Sequence, residues 1–113
     1  MKKIEAIIDP SKMEEVKNAL TKIGIRRMTI SKVDEFENQI RRKEFYRGDT
    51  FVIDIVKEFK IELTVATDEM LCQVVEAIKK TTNTEGTGDE EILVFPLEEV
   101  NRVRTGACRR DTI

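Results

Sequence analysis

The sequence of 113 residues contains no histidine. This absence excludes a Ser-His or Cys-His nucleophile pair, an imidazole general base and a histidine-rich zinc site. Catalysis would have to rely on carboxylates, lysine or tyrosine, and the sequence shows no paired constellation of such groups. We therefore expect a protein that is not an enzyme, with a small hydrolase as the alternative that a nucleotide-turnover assay would detect.

Cysteines, aromatic residues and long apolar runs are also scarce. The two cysteines, Cys72 and Cys108, lack metal-ligand spacing and are expected to be free thiols. An aromatic content of 5% and a net charge of -2 argue against a nucleic-acid partner. Neither a transmembrane run nor the apolar region of a signal peptide is visible, so we expect a cytoplasmic protein without direct membrane insertion.

The residues that are present predict one domain spanning 1–113, because this length suits a single core. Alternating or helical periodicity predicts a strand at 3–8, a helix opened by "DPSKMEE" and ended by Gly24, and a strand at 25–33. Further strands are expected at 59–65 and in "ILVFP", with a helix capped by Thr67 between them. Asp9 or Ser11 can cap the first helix, and Ser11 with Glu14 has the spacing of a capping box. The order is βαββαβ, which predicts an α+β, ferredoxin-like fold.

The segment between the second and third strands, 34–57, has no sustained period and is dense in charge. Connections of this length are usually functional or disordered, so it is either a solvated loop or a protrusion that docks a partner. "FVIDIV" at its end is apolar enough to be strand-like, which favours a partly paired flap extending from the sheet.

A second candidate feature is the loop "TEGTGDEE" at 84–91. Gly86 and Gly88 would let backbone N–H groups approach an anion, but Asp89 and its acidic neighbours oppose this, and a plain turn is the alternative. Arg102 and Arg104, two residues apart on an extended tail, would project to one face and meet a phosphate.

The stretches "MKKIEAIIDPSKMEEVKNAL", "GIRRMTI", "EFYRGD", "KIELTV" and "VNRVRTG" together resemble the PII signal-transduction proteins of nitrogen regulation. The resemblance covers nearly the whole chain. It implies a homotrimer of ferredoxin-like subunits, adenine nucleotide in the clefts between subunits, and a long T-loop, about 37–55, that contacts targets. It also implies a B-loop at about 82–91 and a C-terminal segment at about 97–113.

The resemblance assigns roles to individual positions. It places Thr29, Glu62 and Val65 around the adenine, Gly88 and Asp89 in the B-loop, and Arg102 and Arg104 at the phosphates. Gln39 matches a residue that helps hold magnesium and 2-oxoglutarate. The retained tip of the partner-binding T-loop comprises Tyr46, Arg47, Gly48, Asp49 and Phe51.

Departures from the family pattern carry information as well. Glu58 occupies the position of a lysine that pairs with the 2-oxoglutarate carboxylate, so two anions would face each other there. Residues 85–87 replace the family's B-loop pattern of glycine and lysine, and Glu91 replaces a further lysine, a loss of roughly 1 to 3 kcal/mol of phosphate binding. Phe51 replaces the tyrosine that is uridylylated in some bacteria, and Asp49 replaces a serine that other lineages phosphorylate.

The resemblance implies a PII-like signalling protein that binds ADP, ATP or AMP and regulates a transporter or metabolic enzyme through its T-loop. The departures predict that it does so without sensing 2-oxoglutarate, and they leave a role for magnesium open. Two alternatives remain at this point. One is a ligand-independent trimeric scaffold, and the other is a standard nitrogen-regulatory PII protein that controls an ammonium channel.

Overall fold

The structure is a computed structural model, which describes residues 1–37, 54–82 and 91–103. Its helices and strands follow the predicted order: β1 (Lys2–Ile8), α1 (Met13–Lys22), β2 (Thr29–Glu37), β3 (Asp54–Val65), α2 (Asp68–Thr82) and β4 (Ile92–Pro96). The strands form one sheet in the order β2-β3-β1-β4, and each neighbouring pair is antiparallel. The ferredoxin-like βαββαβ fold predicted from the sequence is confirmed.

The hydrophobic core lies between the two helices and one face of the sheet. Alternate residues of β1 and β3 supply the sheet side, while one stripe of each helix supplies the other side. The largest fully buried side chains are Ile4, Ile8, Val16, Leu20, Ile61, Val65, Val74 and Ile78. No polar or charged side chain is buried among the residues that the structure describes. The core is therefore purely apolar in this part of the chain, and the charged groups lie elsewhere.

The chain leaves β1 through a short 3₁₀ turn, Pro10–Lys12. The Asp9 carboxylate accepts hydrogen bonds from the backbone N–H and the hydroxyl of Ser11, both at 2.9 Å. The residue before α1 is Lys12, which makes no side-chain capping bond, so the predicted capping box of Ser11 and Glu14 is wrong. Asp9 caps the preceding 3₁₀ turn instead, and this interposed turn moves the start of α1 beyond the reach of Ser11.

Both helices have a terminus that agrees with prediction. Gly24 has a φ of 103°, and its N–H bonds the carbonyl oxygen of Thr21 at 3.0 Å. The positive φ explains the glycine, because a side chain there would be strained. At the start of α2, the Thr67 hydroxyl accepts a hydrogen bond from the N–H of Met70 at 3.1 Å, which confirms the predicted cap.

The second and third strands do not have the predicted bounds. β2 begins at Thr29 rather than residue 25 and continues to Glu37, and β3 begins at Asp54 rather than Phe59. Residues 33–37 and 54–58 pair with each other from Val33↔Glu58 to Glu37↔Asp54. We call this two-stranded extension the ribbon. Because the ribbon is rich in charged residues, its sequence shows no clear strand alternation. It nevertheless matches the partly paired flap that "FVIDIV" predicts.

Candidate functional site

The sheet has a second face, opposite the helices, which we call the open face. Antiparallel register brings four residues into one row across it, since Thr29 pairs with Glu62, Glu62 with Glu5, and Glu5 with Leu93. Directly paired residues point to the same side of a sheet. Because the neighbours of Glu62 along β3 are buried under the helices, this row must project from the open face.

Ion pairs along the strands hold the acidic groups of this row. Glu5 and Glu62 are opposite each other, an arrangement of like charges that is destabilising if uncompensated. The Lys3 Nζ lies 3.1 Å from Glu5 Oε2, and the Lys60 Nζ lies 3.3 Å from Glu62 Oε2. Each carboxylate is thus balanced by a lysine two residues away on its own strand, with all four side chains roughly one fifth to one third exposed.

One of these lysines also links the row to the edge of the sheet. The Lys3 Nζ lies 5.7 Å from the centre of the Phe95 ring, which is within cation–π range. Leu93 and Phe95 of β4 are both exposed on this side in the single chain. The open face therefore combines ordered charge pairs with apolar side chains that no described helix covers.

The nucleotide-binding residues expected from the sequence fall into three groups. Thr29 and Glu62, which are 33 positions apart in sequence, are neighbours on paired strands, with Thr29 exposed and Glu62 half-buried. Val65 lies in the core at 1% exposure, apart from the exposed row that contains Thr29. Arg102 is half-buried in the tail that starts where the Leu97 N–H bonds the carbonyl oxygen of Met1 at 3.1 Å.

The remaining expected site residues lie outside the described residues. They are Gln39, Tyr46, Arg47, Gly48, Asp49 and Phe51 of the T-loop, Gly88 and Asp89 of the B-loop, and Arg104 of the tail. Their roles stay predictions. Residues 85–87 of the B-loop and Cys108 also lie outside the described residues. Cys72, in contrast, is exposed on α2 with a free thiol.

Glu58 lies on the ribbon, where the sequence predicts an altered effector position. Its cross-strand partner is Val33, and Lys60 follows two residues later on the same face. The neighbouring residue Lys57 projects from the opposite face, and its Nζ lies 3.4 Å from Asp34 Oδ1. The nearest strand residues therefore give Glu58 an apolar neighbour across the pair and one cation along its own strand.

Sequence reasoning identified "FVIDIV" as strand-like but missed the exposure of the apolar residues of the ribbon. Phe36 and Ile55 are cross-strand partners and are 59% and 53% exposed, while Val56 on the other face is 48% exposed. Ile55 lies four residues before Phe59 on the same side of β3, and that spacing continues the alternation of the strand. Lys57 interrupts the apolar series, which is why the alternation is not obvious in the sequence.

A groove of about 550 Å³ separates α1 and α2 on the far side of the sheet. Its floor contains Ala19, Ile23 and Ala77, and exposed charged groups such as Glu15 and Lys80 flank it. Because the groove is on the helix side, it shares no wall with Thr29 or Glu62. It is separate from the site that the sequence indicates.

The described residues contain neither a cluster of metal ligands nor a helix that could span a membrane. Within 1–37, 54–82 and 91–103, no group of three or more acidic or cysteine residues is arranged to hold a metal ion. Over the same ranges, neither helix combines the length and the apolar character that crossing a bilayer requires.

Comparisons with known proteins point to one family. The sequence model of "Nitrogen regulatory protein P-II" matches residues 1–107. The chain is 42% identical over 113 residues to the nitrogen regulatory protein P-II of Pasteurella multocida (strain Pm70), with 100% of both chains covered. It is 43% identical over 113 residues, again with 100% of both chains covered, to the protein of that name from Azospirillum brasilense. Among solved structures, B. subtilis GlnK matches with a TM-score of 0.80 and 29% identity, covering 99% of this chain and 97% of that one.

Proposed function

This chain belongs to the nitrogen regulatory protein P-II family, and we propose that it is a cytoplasmic regulator that binds an adenine nucleotide and controls a target protein through its T-loop. The family is one of signalling proteins rather than enzymes. The target that we propose is a membrane transporter or a metabolic enzyme.

The observation that carries the nucleotide proposal is the pairing of Thr29 with Glu62. The family resemblance assigns both residues to the adenine side of the site, and the register makes them neighbours on the open face although 32 residues separate them in sequence. A hydroxyl beside a carboxylate offers both a donor and acceptors, which suits the edge of an adenine ring. Arg102, with Arg104, would supply charge-assisted hydrogen bonds to the phosphates.

A homotrimer completes the proposed site, since the expected clefts lie between subunits. The open face supports this assembly because Ile7, Leu93 and Phe95 lie on it without a helix to cover them. Exposed contiguous apolar groups of this kind usually mark an interaction surface. The ion pairs of Lys3 with Glu5 and of Lys60 with Glu62 would lower the cost of desolvating these four charges.

We further propose that the protein does not sense 2-oxoglutarate. Glu58 is an anion at the position that the family uses to pair with the effector's carboxylate, and like charges at close range repel. ADP or AMP, or weakly bound ATP, are the preferred nucleotides in this proposal because Glu91 replaces a phosphate-side lysine. Magnesium would depend on Gln39 and on the phosphates of the nucleotide.

Isothermal titration calorimetry of the full chain with ATP, ADP, AMP and 2-oxoglutarate, with and without Mg²⁺, tests the proposal. We expect saturable nucleotide binding and no heat from 2-oxoglutarate. Arg102→Ala should weaken nucleotide binding by about tenfold or more, as expected for a lost charge-assisted bond. Lys79→Ala, which removes an exposed cation on α2, is the matched control and should bind as the natural protein does.

The same titrations distinguish the two alternatives. Tight binding of 2-oxoglutarate in the presence of Mg²⁺ and ATP would identify a standard nitrogen-regulatory PII protein and refute the loss of effector sensing. If no nucleotide binds and none raises the melting temperature, the ligand-independent scaffold is correct. Release of phosphate from bound nucleotide at a catalytic rate would instead show the hydrolase.

A further inference from the structure

We propose that Lys60 is a positioning residue of the nucleotide site: it holds the Glu62 carboxylate beside Thr29, where that carboxylate selects a base with an amino group over one with a carbonyl group. This inference rests on the proposed function, because it concerns the residue that orients a group assigned there to the adenine. Lys60 acts through Glu62 and need not touch the nucleotide itself.

The need for a positioning residue comes from the register of β1 and β3. Glu5 and Glu62 are directly opposite each other on the open face, and opposed side chains of an antiparallel pair have Cβ atoms only about 4.5–5.5 Å apart. The two side chains are 20% and 29% exposed, so water screens their repulsion incompletely. Without a nearby cation, the two carboxylates would turn away from each other.

Two lysines resolve this conflict by drawing the carboxylates in opposite directions. Because β1 and β3 are antiparallel, Lys3 lies one same-face row to one side of the acidic pair, and Lys60 lies one such row to the other side. The Lys3 Nζ is 3.1 Å from Glu5 Oε2, and the Lys60 Nζ is 3.3 Å from Glu62 Oε2. Each carboxylate is therefore drawn toward its own lysine and away from the other carboxylate.

Lys60 is the cation that orients Glu62, because Lys3 is held toward the other edge of the open face. The Lys3 Nζ lies 5.7 Å from the centre of the Phe95 ring on β4. On the β2 side, the residue opposite Glu62 is the uncharged Thr29, so the carboxylate meets a hydroxyl group there. The orientation of the carboxylate next to Thr29 thus depends on Lys60.

A carboxylate fixed in this place has a definite preference among purine bases. When ionised it only accepts hydrogen bonds, so it pairs with the exocyclic amino group of adenine and repels the carbonyl oxygen that hypoxanthine carries at the same ring position. The Thr29 hydroxyl can serve either base, because it both donates and accepts. Base selectivity therefore depends on Glu62, and through it on Lys60.

Calorimetric titration of the full chain with ADP and with IDP, its hypoxanthine counterpart, measures this selectivity. We expect the natural protein to bind ADP about tenfold more tightly than IDP or better. Lys60→Met keeps an unbranched apolar stem but removes the charge, and it should reduce the preference several-fold, chiefly by weakening ADP. Lys60→Arg retains a cation and should restore most of the preference.

A double-mutant cycle shows whether Lys60 acts through Glu62. Glu62→Gln should itself reduce the preference for ADP, and Lys60→Met should then have no further effect in that background. Lys57→Met is the matched control, because it breaks the ion pair with Asp34 on the opposite face of β3 and should leave both affinities unchanged. Equal weakening of ADP and IDP by Lys60→Met, or an undiminished effect in the Glu62→Gln background, would overturn the proposal.

Two further results separate this inference from the proposed function and from assembly. Light scattering should give the same oligomeric state for Lys60→Met as for the natural protein, whereas a change would mean that the lysine acts in assembly and would overturn its positioning role. If the natural protein binds neither ADP nor IDP, the nucleotide proposal fails and this inference fails with it. If the natural protein binds ADP and Lys60→Met keeps the full preference, only the role of Lys60 fails.

Discussion

The two halves of β3 both contain apolar residues but have contrasting surroundings. Residues 59–65 pair with β1 and underlie the helices, and Ile61 there is completely buried. Residues 54–58 pair with β2 alone, and Ile55 there is 53% exposed. The same residue type in the same strand thus stabilises the core at one position and is exposed at the other. The difference is set by which elements lie beside the strand.

The largest expected effect is the loss of stability when a side chain in the buried half of β3 is truncated. Ile61→Ala should lower the free energy of unfolding by about 2–5 kcal/mol, because it leaves a cavity in a core that the two helices close. Ile55→Ala is the matched control in the exposed half and should change it by less than about 0.5 kcal/mol. Urea denaturation followed by circular dichroism measures both. Similar losses for the two variants would show that the ribbon is also buried in the assembled protein.

A smaller effect is expected at Gly24, where the chain leaves α1 for the start of β2. Gly24→Ala should destabilise the protein by about 1–2 kcal/mol, because a φ of 103° is strained for a residue with a side chain. No atom lies within 4 Å of the added Cβ, so the cost would come from the backbone alone. Gly24→Asn should cost less, since asparagine tolerates positive φ better. Equal losses would contradict the backbone explanation.

The smallest effect concerns Asp9, which follows the last residue of β1 that pairs with β3. The backbone N–H of Ser11, with help from its hydroxyl, holds the pKa of the Asp9 carboxyl below its ordinary value. A lowered pKa in the folded state means that the carboxylate stabilises the fold above pH ~4 and that this contribution disappears as the pH falls through the lowered pKa.

Asp9→Asn should therefore cost less than about 1 kcal/mol at pH 7, where an exposed cap contributes modestly. Its stability should converge on that of the natural protein as the pH falls through the lowered pKa of Asp9. Thermal melts of both proteins from pH 7 to pH 2.5 measure this. A difference that persists at the acid end would mean that the charge of Asp9 is not the cause.

The order of the elements was predictable because each has a clear period or cap, such as the alternation around Ile61 or the hydroxyl of Thr67. The ribbon was predictable only as a partly paired flap without bounds, since strand patterns are recognised by alternating burial and both of its faces are exposed. Asp34 and Lys57 look like loop residues in sequence, yet they form an ion pair across two strands. The capping box failed because the 3₁₀ turn depends on Asp9, which competes for the same backbone groups.

The candidate site was predictable only as a set of residue positions. The resemblance supplied Thr29 and Glu62, but their adjacency depends on strand register, which is a property of the pairing and not of either segment alone. Val65 shows the opposite case, because its alternation with Thr64 already indicated a buried side chain. Phe36 gave no signal of its own and Ile55 only that of a strand-like segment, since an apolar pair across a ribbon is visible only once the two strands are aligned.

The twelve residues of β3 form one continuous strand from Asp54 to Val65. At about 3.3 Å per residue, Glu62 and Ile55 are separated by roughly 23 Å of extended chain. Residues 59–62 pair with β1 on one side and β2 on the other, whereas residues 54–58 pair with β2 only. β3 is therefore a direct covalent connection between the proposed adenine side of the sheet and the ribbon, with no loop between Glu62 and Ile55.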